Sequence, residues 1–117
     1  MALPQSRAFM PLSTDDPVLS EVVRLLVDVY HPERIYLFGS TARGDAGPDS
    51  DYDLMVIVLD GTPAARRDSG LAYKAIWRLG AASDVLVWTR SEFDMRLGLR
   101  ASLPATIARE GRLLYVA

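Results

Sequence analysis

The chain has 117 residues, half of them hydrophobic, which is room for one buried core and too little for two. It contains no cysteine, which excludes a thiol nucleophile and Cys-based zinc or iron–sulfur sites and points to a reducing compartment. The net charge of −2, with basic residues scattered over Arg66, Arg67, Arg96, Arg100, Arg109 and Arg112, disfavours grip on a long nucleic acid but not on one nucleotide with its metal ions.

Residues 1–16, MALPQSRAFMPLSTDD, are broken by Pro4 and Pro11 and lack the continuous apolar stretch of a signal peptide. They read as an N-terminal arm, followed by a single domain over 17–117. Asp16-Pro17 supplies a helix start, with Asp16 as cap and Pro17 in the first turn. Val18, Val22, Leu25, Leu26 and Val29 follow at helical spacing to about Tyr30, where His31-Pro32 ends the helix.

Ile35–Phe38 reads as a short buried strand. Gly39-Ser40 then turns the chain, Thr41–Gly44 can form one helical turn, and Ala46–Asp49 is a loop by composition. Asp51–Leu59 is a second strand whose downstream half is apolar on both faces, which predicts a central place in the sheet.

After the break at Gly61-Thr62-Pro63 a helix is expected from about Ala64 to Leu79. Its inner face would be Asp68, Leu71, Ala72, Ala75, Ile76 and Leu79, and Gly80 would stop it. Asp84–Trp88 is a third strand, Ser91-Glu92 opens another helix, 101–110 is helical, and Leu113–Val116 adds a short final strand. Alternating helices and strands predict an α/β fold, a small mixed sheet flanked by helices. The longest apolar run, Leu54–Leu59, is too short to span a bilayer; a soluble, cytoplasmic protein is expected.

Chemistry concentrates in residues 38–54, FGSTARGDAGPDSDYDL. Alternate residues of a strand share a face, so Asp51 and Asp53 point the same way, roughly 7 Å apart or closer at the oxygens. Two such acids at the mouth of a core strand repel each other and resist desolvation, and no nearby Lys neutralises them. A pair of divalent cations would, and hard oxygen donors favour magnesium or manganese. Asp84 opens its own strand before a similar apolar run and is the natural third ligand, provided the two strands are neighbours.

Gly39 permits close backbone approach, Ser40 can cap the turn that follows, and Arg43 on that turn adds a cation for a bound phosphate. Taken singly, each of these features has a plain structural explanation; only their ordered combination points to a site. Two rival motifs fail. Asp45-Ala46 stands where a P-loop needs Lys and Ser or Thr. Leu54 and Asp60 occupy the sixth and twelfth positions of a would-be EF-hand loop, where Gly and Glu belong.

G-S-x-x-R-G followed by S-D-x-D, here Gly39, Ser40, Arg43, Gly44, Ser50, Asp51 and Asp53, resembles the polymerase-β-type nucleotidyltransferase superfamily. The small size resembles its minimal nucleotidyltransferase branch, the antitoxins of HEPN/MNT toxin–antitoxin pairs. The resemblance runs over residues 17–117 and includes Asp84 and the closing EGRLLY. It implies the polymerase-β-type nucleotidyltransferase fold, with a nucleoside triphosphate held at Gly39, Ser40, Arg43 and Ser50. It also implies two Mg2+ (or Mn2+) ions on Asp51, Asp53 and Asp84, the three acids being catalytic. The implied reaction transfers AMP from ATP to a tyrosine of a HEPN-type ribonuclease toxin, which neutralises it, with no direct contact to nucleic acid or membrane.

Two other functions stay open on the sequence: an antitoxin that acts mainly by forming a complex, and a nucleotidyltransferase for a small molecule such as an aminoglycoside. Retention of all three acids favours the transferase, and the short chain leaves little for a small-molecule pocket. Among the remaining residues, His31 reads as a helix-end residue, Tyr52 as packing on the face away from the acids, Arg66-Arg67 as a solvated helix start, and Trp77, Trp88 and Phe93 as core in preference to a partner-facing apolar patch.

Overall fold

The structure, a computed structural model, describes residues 16–44 and 51–117. The arm expected over 1–16, apart from Asp16, and the loop Ala46–Asp49 lie outside the described residues, as does Ser50. Helix α1 spans Pro17–Tyr30. Asp16 caps it, its carboxylate accepting from the N–H groups of Val18 and Leu19 at 3.0 and 3.2 Å. Leu19, Val22, Val23, Leu26 and Tyr30 form its buried face. The helix closes on His31, whose backbone is left-handed (φ 47°) and whose N–H donates to the Val27 carbonyl.

Among the described residues four strands form one mixed sheet: β1 Arg34–Phe38, β2 Tyr52–Val58, β3 Ser83–Thr89 and β4 Arg112–Val116, in the order β3-β2-β1-β4. β1 runs antiparallel to β2 and β4, while β2 and β3 are parallel. β2 is an inner strand, and Leu54–Val58 are each 1% exposed or less, as their unbroken apolar run predicts. Alternation divides the core. Leu54, Val56 and Val58 join Ile35, Leu37 and Val85 under α1. Met55 and Ile57 face the opposite side with Phe93 and Ile107.

The expected helix over 64–79 is corrected. A 3-10 turn, Ala64–Arg66, precedes helix α3 at Gly70–Ile76, and a second 3-10 turn, Trp77–Leu79, runs to Gly80. The break has a local and a distant cause. Asp68 accepts the Gly70 N–H on its own carboxylate, which restarts the helix as an Asx turn. The Tyr30 hydroxyl donates to the Asp68 carbonyl at 2.7 Å and accepts from the Ala72 N–H at 3.0 Å. It stands between the very groups that a continuous helix would join. Asp68 therefore lies outside the helix instead of on its inner face.

Trp77 is also corrected: it is 71% exposed, because it follows the buried Ile76 by one residue and so lies about 100° round the helix. Phe93 is core at 1%, and Trp88 is half-buried.

Helix α4, Arg90–Asp94, begins with a reciprocal capping box between Thr89 and Glu92. Helix α5, Leu103–Glu110, begins two residues later than expected, because Ser102 takes the cap position and accepts from the Ala105 N–H. A further helix, α2, is the single turn Gly39–Arg43 between β1 and β2. Among the described residues no helix is long and apolar enough to cross a membrane.

Candidate functional site

β1 ends at Phe38, and its last register partner on β2 is Asp53. On the other side of β2 the parallel register sets Asp53 opposite Asp84. The sheet thus places Asp53 between the start of the Gly39 turn and Asp84. Asp51 lies two residues upstream of Asp53, exposed, just outside the strand. Tyr52 between them faces α1, and its hydroxyl donates to the Asp16 carboxylate. Burial, with Asp16 as its hydrogen-bond and charge partner, pushes the Tyr52 phenol up to about 12. That tie between the cap of α1 and the acid-bearing strand had no signal in the sequence beyond the packing expected of Tyr52.

Electrostatics register the crowding. Asp53 is held above the usual carboxylate range by burial first, then by the charges of Asp84 and Asp51. The donor set, three carboxylates, is the chemistry a hard divalent cation takes. The carboxylates adjoin without enclosing such an ion: among the described residues no group of three or more His, Cys, Asp or Glu side chains has the arrangement of a metal site. Charge and donor chemistry fit; closure would require the side chains to turn towards one another.

Gly39 has φ 75°, and a Cβ there would overlap the Asp53 carboxylate. The glycine is therefore needed twice, for its left-handed backbone and because an acid of the next strand lies against it. The N-cap of α2 is Phe38, with no side-chain cap bond, so Ser40 is a residue of the first turn and not its cap. With no side-chain oxygen supplied by the cap residue, the opening N–H groups suit an anionic ligand. Arg43 leans towards α5, where its guanidinium lies 3.9 Å from the Glu110 carboxylate. Thr41, which the motif reading passed over, donates its hydroxyl to the Asp51 carbonyl at 3.0 Å.

The sequence pattern of the family described as a nucleotidyltransferase domain matches residues 19–113. The chain belongs to this nucleotidyltransferase family. No curated protein matches it. Among solved structures, this nucleotidyltransferase is similar to a toxin–antitoxin crystallised with AMP-PNP, at 25% identity and TM-score 0.57, over 83% of this chain and 72% of that one.

The same fold occurs in a mutant of the MntA–HpeT toxin–antitoxin, at 23% identity and TM-score 0.56 over 83% and 72%. It occurs again in a tri-AMPylated Shewanella oneidensis HEPN toxin in complex with an MNT antitoxin, at 22% identity and TM-score 0.52 over 86% and 71%. The nucleotidyltransferase family expected from the Gly-Ser and D-x-D pair is thus the family found.

Proposed function

We propose that this nucleotidyltransferase transfers AMP from ATP to a tyrosine hydroxyl of a HEPN-type ribonuclease toxin and so neutralises it as an antitoxin. The observation that carries the reading is the register that sets Asp53 between the Gly39 turn and Asp84. Similar folds in toxin–antitoxin complexes, one with AMP-PNP and one with an AMPylated HEPN toxin, support the choice of nucleotide and partner.

In this scheme the Gly39-Ser40 turn holds the triphosphate through backbone N–H groups, with Arg43 and Ser50 beside it. Asp51, Asp53 and Asp84 are the residues that would hold two divalent ions. The chemistry that magnesium or manganese would supply there is a lower pKa for the acceptor hydroxyl and an offset to the charge on the phosphates. Asp84 is exposed on β3 at one end of the strand order, which leaves it open to an acceptor. The tyrosine oxygen forms its bond to the α-phosphorus, the bond from that phosphorus to the bridging oxygen breaks, pyrophosphate leaves, and the hydroxyl proton passes to solvent.

The test is incubation with magnesium, labelled ATP and the product of the neighbouring gene. Label on a partner tyrosine, absent with Asp51→Asn, is the expected result; no label with the unaltered protein overturns the reading. A second reading, neutralisation by complex formation, draws on the exposed apolar side chains Trp77, Met95 and Leu99, of the kind protein interfaces cover. It predicts that Asp51→Asn/Asp53→Asn neutralises the toxin as well as the parent does.

A further inference from the structure

We propose that Thr41 is a positioning residue of the transfer reaction, its hydroxyl fixing the Gly39-Ser40 turn relative to the acids. The proposal rests on the transferase reading above. α2 has only five residues and buries none of them fully; its packing on the main core runs through the half-buried Ala42. Its Arg43–Glu110 pair joins two half-exposed side chains at 3.9 Å, a geometry that contributes little.

The peptide between Asp51 and Tyr52, by contrast, is clamped at both ends. Its carbonyl accepts from the Thr41 hydroxyl at 3.0 Å, and its N–H donates to the Ala82 carbonyl at 3.0 Å. One end is therefore tied to the turn that would cradle phosphate, the other to the run leading into Asp84. The register of β1 with β2 ends at Phe38 and Asp53, so the Asp51 carbonyl lies beyond that ladder and the hydroxyl takes over where it stops. A catalytic constellation tolerates little displacement. Loss of the hydroxyl would leave the nucleotide bound but out of line with the acids.

Thr41→Val keeps the shape of the side chain and removes the hydroxyl; Thr41→Ser keeps the hydroxyl and removes the methyl. Expected for Val is a fall in kcat of about tenfold, the size of one lost hydrogen bond, with the KM for ATP within about twofold of the parent's. Ser should retain most of the parent kcat. Amide hydrogen exchange in nucleotide-free protein reads the latch without the reaction: Ala42–Gly44 should exchange faster in Val and not in Ser.

Val with the parent's kcat and exchange rates overturns the proposal, as does Ser impaired as deeply as Val. A parent that transfers no AMP, while Val alone loosens α2, overturns the assigned reaction yet leaves the clamp in place, so the two failures are told apart.

Discussion

Asp53 and Gly39 constrain each other more tightly than any other pair in the candidate site. Gly39→Ala would put a methyl into the Asp53 carboxylate on a left-handed backbone. The backbone alone costs about 1–2 kcal/mol, so thermal unfolding should shift down while Asp53 is pushed out of place and transfer falls. An unshifted Tm and full activity would show that the turn relaxes freely.

Asp53 carries the opposite stability signature. Its pKa is raised in the folded chain, so its contribution is full below the ordinary carboxylate value of about 3.9 and is lost as pH rises through the elevated one. Asp53→Asn should therefore raise the Tm of the metal-free protein at neutral pH while abolishing transfer. A lower Tm counts against the crowding. Asp60 has the reverse sign: the Ser91 hydroxyl, then the Ser91 N–H, hold its pKa down. Its contribution is present above the ordinary value and lost as pH falls through the depressed one, so Asp60→Asn should flatten the acid limb of a Tm–pH profile. At this scale the sequence was legible in the crowding of Asp51 on Asp53, which follows from residue type and spacing. The Thr41 hydrogen bond was not, because its acceptor is a carbonyl ten positions away.

Among the elements, those set by nearby residues were legible and those set by distant ones were not. α1 carries its cap, its proline and its apolar stripe in one stretch, and both ends fell where expected. The break before α3 depends on the Tyr30 hydroxyl, which no window around Ala64–Leu79 contains. Tyr30→Phe should remove the inserted group and leave the Asp68 carbonyl with the Leu71 N–H and the Ala72 N–H with the Ser69 carbonyl, at a cost of about 0.5–1.5 kcal/mol, with faster exchange over Gly70–Ala72. Unchanged exchange there would mean the Asx turn suffices.

The junction of α5 and β4 is a second distant constraint. A Cβ on Gly111 would come within 2.7 Å of the Ile107 carbonyl and 2.9 Å of the Leu37 carbonyl. The glycine in EGRLLY thus admits close backbone approach and was visible in the sequence only as a letter.

Among the described residues one sheet serves two unequal cores, the larger under α1 and α3 and the smaller under α4 and α5. Met55 and Ile57 alternate along β2 with Leu54 and Val56, so neither side can loosen alone. Leu26→Ala and Ile107→Ala, one from each core, should each cost about 2–5 kcal/mol and lower a single unfolding transition. Two separate transitions would contradict the shared strand. The α/β alternation was readable, and so was the inner place of β2. The parallel pairing with β3 was not, since spacing alone does not choose neighbours.

That parallel pairing has an outcome for how the protein is made. Asp53 and Asp84 come from strands that cannot meet through a hairpin and must wait for the intervening crossover to be laid down. A nascent chain that has released only Asp51 and Asp53 lacks the third carboxylate, and the trio can come together only once β3 has followed them out of the ribosome.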